Sequence, residues 1–181
     1  KDGRIIMVKV AILGFGVVGS GVAEVLSGNG AGIQKKADEL IEVKYILDVR
    51  DFPDSPYKDC FVKDFSVIEN DPEVDIVVET IGGATVALDF TTRALKAGKS
   101  VVSSNKELVA AKGDELLEIA RRNNLNFLFE ASVGGGIPII RPLQTCLTAD
   151  EIVEISGILN GTTNYILTNM TYGGANFDDA L

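Results

Sequence analysis

Histidine and tryptophan are absent from the 181 residues, and only two cysteines occur. Without histidine, imidazole acid–base catalysis and most zinc sites are excluded. Cys60 and Cys146 form no C-x-x-C pair and are too few for a disulfide framework, so both are expected to be free thiols in a reducing, cytoplasmic setting. Cys146 also lacks the imidazole that would activate it as a nucleophile. No apolar run approaches the roughly 20 residues that a membrane span needs, and no signal-peptide cleavage pattern follows Lys1-Asp2-Gly3-Arg4. Positive charge is scarce: 17 Lys and Arg face 26 Asp and Glu, a net −9. That balance argues against a nucleic-acid backbone as partner, since such binders need a basic surface. An anionic nucleotide can still be held by backbone N–H groups at a helix end.

Glycine, by contrast, is plentiful and placed where strands should turn into helices. Val8–Leu13 is an apolar run broken only by Lys9, as in a buried parallel strand, and Gly14-Phe15-Gly16-Val17-Val18-Gly19 follows it as a complete G-x-G-x-x-G. In such a fingerprint Gly14 permits the tight turn, Gly16 lets the backbone approach a pyrophosphate, and Gly19 lets the helix pack on the strand. Helical spacing resumes at Val18, Val22, Val25 and Leu26. Gly28-Asn29-Gly30 and Gly32 are expected to form a loop before a second helical stretch near Gln34–Leu40. Strands are expected over Val43–Leu47, Val74–Glu79, Ser100–Ser104 and Asn126–Glu130, with Pro53 and Pro56 marking a loop. Helices are expected over 84–97, closed by Gly98, in a short run after Lys106, and over Asp114–Asn123. Strands and helices alternating at these lengths predict an α/β fold, a Rossmann-type doubly wound and mostly parallel sheet. After residue 147 the character changes: a longer strand over Ile152–Leu159, a helix opening at Asn160, and a helix start at 176–181 capped by Asp. The expected domains are therefore 1–147, binding a dinucleotide, and 148–181, the start of a second, α+β domain. The last helix stops after barely a turn, which reads as a truncated polypeptide. Met7 reads as a natural start, leaving 1–6 as an extension.

Four places carry candidate chemistry. Asp48, at the end of the second strand, could accept from a ribose 2′-OH, whereas Arg50 could accommodate a 2′-phosphate; either could instead be a solvated loop charge, so NAD and NADP both stay open. Lys106 follows a strand end and opens a helix, where its charge opposes the macrodipole. A purely structural lysine gains nothing there, whereas a lysine beside a substrate can serve as proton donor or base. Glu130 precedes Gly134-Gly135-Gly136; with unhindered carbonyls it could bind a hard monovalent cation, orient a lysine, or cap a helix at Pro138. Asn160-Gly161-Thr162 is either a plain N-cap or a pair of free N–H groups for a carboxylate. Tyr165 and Tyr172 read as packing.

Together these stretches resemble homoserine dehydrogenase. The similar segments are Val8–Gly19, Asp75–Gly83, Val101–Leu108, Phe129–Leu143 and Gly157–Leu167, in order and spread over nearly the whole chain. The resemblance implies NADP- or NAD-dependent hydride transfer between L-homoserine and L-aspartate 4-semialdehyde, on the route to threonine and methionine. It implies cofactor contacts from Gly14, Phe15, Gly16, Val17, Val18, Gly19, Arg50, Thr80, Ser103, Ser104 and Lys106, with Lys106 also catalytic. It further implies a sodium site at Glu130, Val133, Gly135 and Ile137, three of them through carbonyls, and substrate contacts from Gly161 and Thr162. The family's second lysine and acidic substrate-binding residues fall in a later part, through which a full-length homodimer is expected; without them the chain alone should bind nucleotide and turn over poorly. Two other readings stay open: another Rossmann reductase, and a non-catalytic nucleotide-sensing module. Aspartate-semialdehyde dehydrogenase, which needs a Cys nucleophile with a His base, is excluded.

Overall fold

A computed structural model describes residues 7–157 and 160–181; the extension expected at 1–6 lies outside them. By its own contacts the chain divides into two compact units, Lys1–Pro138 and Ile139–Leu181. In the first, six strands form one sheet: β1 (Met7–Leu13), β2 (Leu40–Leu47), β3 (Phe61–Val62), β4 (Val74–Glu79), β5 (Ser100–Ser103) and β6 (Phe127–Leu128). Every ladder is parallel, in the order β3-β2-β1-β4-β5-β6. The helices of this unit are α1 (Val17–Gly28), α2 (Gly30–Ala37), α3 (Phe65–Glu69), α4 (Thr85–Lys96), α5 (Lys106–Arg122) and α6 (Ala131–Gly134).

The alternation of side chains along β1 explains the layering. Val10 and Ile12 pack into a cluster with Ala23 of α1 and Ile46, whereas Ala11 and Leu13 join the opposite cluster with residues of α3, α4 and α5. A strand with side chains buried on both faces needs helices on both, which makes the sheet doubly wound. On α5 the inward stripe is Leu108, Gly113, Leu116 and Ala120. Gly98 at φ +83° closes α4 as expected.

Several expectations are corrected. Gly30 and Gly32 lie inside α2; only Asn29 separates it from α1, and Leu40 belongs to β2 because it pairs with Met7. The segment after Pro56 is no simple loop: it holds β3 and α3, the strand being two residues that pair at Ile46 and Leu47, too short for a periodicity. The two helices expected after Lys106 are one, running through a buried Gly113; a glycine inside a helix costs only about 1 kcal/mol and does not end it. The strand expected over 126–130 is confined to Phe127–Leu128, and Glu130 instead precedes the helical turn α6.

The second unit holds α7 (Ile140–Cys146), α8 (Gly161–Tyr172) and α9 (Phe177–Ala180). No strand forms over 152–157, and 158–159 lie outside the described residues. A strand exists only in a ladder, and among the described residues of this unit none offers one. Asn176, rather than an Asp, caps α9 by accepting from Asp179 N–H at 2.9 Å. Cys60 and Cys146 are both free.

At the amino-terminal side of the sheet, Lys44 Nζ lies 2.6 Å from Asp71 and 2.5 Å from Glu73, Lys9 Nζ donates to Glu73 at 2.9 Å, and Tyr45 Oη donates to Asp71 at 2.9 Å. The Lys44 ammonium holds the Asp71 carboxyl down to about 2, against about 3.9 in an unfolded chain. Between these values the unfolded state binds more protons, so acid favours unfolding. The stabilisation is complete above about pH 4 and is lost as pH falls toward 2. Urea unfolding from pH 6 downward should show stability falling with acidification, and Asp71→Asn should flatten that fall while lowering stability at pH 6.

Candidate functional site: a cleft at the strand ends

The ladders place Leu47, Leu13, Glu79 and Ser103 in one row across β2, β1, β4 and β5. The residues that follow them, Asp48, Gly14, Thr80 and Ser104, therefore leave the sheet side by side. Strand order reverses between β1 and β4, and a doubly wound sheet opens its ligand crevice at such a point.

In the glycine loop Gly14 adopts φ +91°, open to glycine at little cost. A Cβ on Gly19 would sit 1.9 Å from the Gly14 carbonyl oxygen and 2.9 Å from Thr80 Oγ1, whereas one on Gly16 would meet nothing within 4 Å. Gly19 thus seats α1 against the turn, and Gly16 leaves the approach to the backbone clear. Gly16 is also the N-cap of α1 and no side chain caps it. Val17 and Val18, the first residues of the helix, are both exposed. This is the arrangement that receives a phosphate group. Thr80 braces the loop from behind, donating from Oγ1 to Leu13 O at 2.8 Å, with Gly14 O at 3.0 Å.

Beside the loop, Phe15 meets Phe52, Phe61 and Tyr57 edge-on and lines a pocket with Phe52, Pro53 and Tyr57. Asp48 is buried and fully committed. Its Oδ2 accepts from Phe15 N–H at 2.7 Å and Arg50 Nη2 at 2.9 Å, while Oδ1 accepts from Arg50 N–H at 2.9 Å and Arg50 Nε at 3.0 Å. A carboxylate has about four acceptor positions, so none remains for a ribose hydroxyl. The Arg50 guanidinium holds the Asp48 carboxyl well below the usual carboxylate range. Arg50 itself stays 59% exposed, over the Phe52 ring, and donates from Nη2 to Phe15 O at 3.1 Å.

At the other end a cleft is lined by Thr80, Gly82, Ser104, Lys106, Val133 and Gly135, among others. Lys106 is the first residue of α5 and is exposed; Asn105 caps the helix by accepting from Leu108 N–H at 3.0 Å. Ser103 does not line this cleft. It is 1% exposed and lies beneath, where its hydroxyl donates to Glu79 and accepts from Asn105 N–H at 3.1 Å. Glu79, in sequence only the last residue of a strand, is fully buried, and burial pushes its carboxyl up despite hydrogen bonds from Ser103 and from Ile81 N–H at 2.7 Å. An acid at a strand end amid apolar residues was the available signal. Of the expected cation ligands, Val133 and Gly135 reach the cleft wall, Gly135 at φ +59°, while Glu130 occupies the N-cap position of α6. Among the described residues no three His, Cys, Asp or Glu side chains gather as a metal cluster. In the second unit, Asn160 caps α8 by accepting from Thr163 N–H at 2.9 Å, and Gly161 and Thr162 are exposed on its first turn.

Residues 14–130 match the family model described as homoserine dehydrogenase, NAD binding domain, and residues 138–181 match the model described as homoserine dehydrogenase. The chain belongs to the homoserine dehydrogenase family. The homoserine dehydrogenase of Synechocystis sp. is 43% identical over 180 residues, spanning 96% of this chain and 40% of its own length. That of Bacillus subtilis is 38% identical over 179 residues, spanning 96% and 41%. The crystal structure of a homoserine dehydrogenase from Thiobacillus denitrificans matches at 38% identity with a TM-score of 0.88, over 98% of this chain and 42% of that one. A hyperthermophilic archaeal homoserine dehydrogenase in complex with NADPH matches at 28% identity with a TM-score of 0.78, over 97% and 59%. The chain thus spans about 40% of the length of the curated relatives. No helix among the described residues is long and apolar enough to cross a membrane.

The two glycines should separate folding from binding. Gly19→Ala drives a methyl into a backbone oxygen and should cost about 3 kcal/mol in urea unfolding. Gly16→Ala should stay within about 1 kcal/mol, the cost of a poorer N-cap, yet weaken dinucleotide binding in a calorimetric titration.

Proposed function

We propose that this chain supplies the dinucleotide-binding part, and the beginning of the substrate and dimerisation part, of a homoserine dehydrogenase that interconverts L-homoserine and L-aspartate 4-semialdehyde. The observation that carries the reading is the single row of strand ends, which brings the glycine loop, Arg50, Thr80, Ser104 and Lys106 to one side of the sheet. The dinucleotide fits these residues: Gly16 leaves its approach clear and the first turn of α1 presents uncapped N–H groups to a pyrophosphate. We take the cofactor to be NADP, because the acid that would bind a ribose hydroxyl is saturated by Arg50 and Phe15 while Arg50 keeps an exposed face for a 2′-phosphate.

When bound, the nicotinamide supplies or accepts the hydride. Lys106, exposed on the cleft wall, places an ammonium where charge builds on the carbonyl oxygen and can pass it a proton. Gly161 and Thr162 offer first-turn N–H groups to the substrate's carboxylate. We assign a sodium ion to Glu130 and the carbonyls of Val133, Gly135 and Ile137; one carboxylate with neutral oxygens suits a hard monovalent cation, and Gly135, at φ +59°, holds a backbone conformation that favours glycine. The relatives' remaining length would complete the substrate site and the homodimer.

Binding and turnover test this. Arg50→Ala should weaken NADPH by about 10- to 100-fold, the value of one charge-assisted contact, and leave NADH nearly unchanged; equal loss for both would remove the assignment to NADP. In a protein of the relatives' full length, Lys106→Ala should lower NADPH oxidation by aspartate semialdehyde at least about 100-fold.

A further inference from the structure

Glu79 is the largest polar side chain buried near the cleft, it touches no cation, and the chemistry just described does not use it. Its two carboxylate oxygens reach two different loops. Oε1 accepts from Ile81 N–H at 2.7 Å, on the loop between β4 and α4, and Oε2 accepts from the Ser103 hydroxyl, at the end of β5. Ser103 passes the link on by accepting from Asn105 N–H at 3.1 Å. The Asn105 side chain then closes the circuit: its Nδ2 donates to Ile81 O at 2.9 Å and Gly83 O at 2.7 Å, and its Oδ1 caps the turn that begins with Lys106. The loop being held, Ile81-Gly82-Gly83, has little of its own to hold it. Gly82 and Gly83 have no neighbour within Cβ reach, and Gly83 sits at φ +80°.

We propose that Glu79 is a positioning residue, which fixes the Ile81–Gly83 loop and the first turn of α5 relative to each other and so sets the wall against which the nicotinamide half of the cofactor lies. The inference rests on reading this cleft as the nicotinamide end. A buried polar network with every member satisfied holds a single geometry, and removing one member leaves the others unpaired. The adenine half lies at the other end, beside Arg50 and the aromatic pocket, and shares none of these hydrogen bonds.

That separation makes the test. Calorimetric titration of the chain with NADPH and with adenosine 2′,5′-bisphosphate, which lacks the nicotinamide half, reads the two ends independently. Glu79→Ala should weaken NADPH about tenfold, the cost of a broken buried hydrogen-bond network, and leave the bisphosphate within about twofold, the scatter of neutral substitutions. Ser103→Ala removes one oxygen atom, is mild enough to fold should Glu79→Ala not, and should act in the same direction. Glu79→Gln should restore NADPH binding, because an amide still accepts from Ile81 N–H and donates to Ser103 Oγ. Equal losses for both ligands would make Glu79 merely part of the fold, and unchanged NADPH affinity in both truncations would leave the loop positioned by something else; either overturns the inference alone. A wild-type chain that binds the bisphosphate but gains nothing from the nicotinamide half would overturn the reading of the cleft itself.

Discussion

The parallel register is the constraint on which everything else hangs. Leu47, Leu13, Glu79 and Ser103 stand level because the ladders fix them so, and the bonds continue one step beyond: Gly14 N–H donates to Leu47 O at 2.8 Å, Thr80 N–H to Leu13 O at 2.9 Å and Ser104 N–H to Glu79 O at 3.2 Å. A slip of one residue would turn each side chain to the other face. Ala11 and Leu13 would exchange clusters with Val10 and Ile12, so that side chains of different size would meet the opposite layer of helices. The site inherits its order from this. Residues scattered from 14 to 106 meet at one edge because the core holds the strands that deliver them.

How far residues alone could be read follows from what each element asks of its neighbours. β1, β4 and α4 announce themselves through apolar runs, and Gly98 closes α4 because its backbone must turn left-handed. The glycine loop was legible for the same reason: the φ of Gly14 and the crowding at Gly19 admit almost nothing else. β3 was not legible, since two residues carry no period and the strand exists only by pairing with Ile46 and Leu47. Gly30 and Gly32 misled, because a glycine tolerated inside a helix looks the same as one that ends it. The strand expected over 152–159 rested on partial alternation, which says only that a strand could form; over 152–157 none does, since a ladder needs a partner.

The site shows the same limit in its polar residues. Arg50, Thr80 and Lys106 could be picked out by position, yet their partners could not. Asp48 looks in sequence like the acid that takes a ribose hydroxyl; geometry turns it inward to Phe15 N–H and the Arg50 fork. Ser103 looks like a wall residue and is a strut. Glu79 looks like a strand residue and is a hub. In each case the side-chain type was known, and what was missing was which donors the fold aims at it, a property of two or three elements at once.

The absence of histidine takes on a physical sense here. Where an imidazole would switch charge within the cleft, this site relies on groups whose protonation the fold secures differently. Backbone N–H groups at the start of α1 cannot titrate, and the Asp48 carboxyl is held ionised by Arg50. Glu79 is sequestered beneath the wall among neutral hydrogen-bond partners. On the proposed reading, a chain with an excess of negative charge receives an anionic dinucleotide because attraction is local: partial charges on the amides at a helix end and one guanidinium would act at contact distance, while surface carboxylates farther off are screened within about 8–10 Å. The net charge of −9 and an anion site are therefore compatible, with the open face at Gly16 leaving the backbone itself accessible to a ligand.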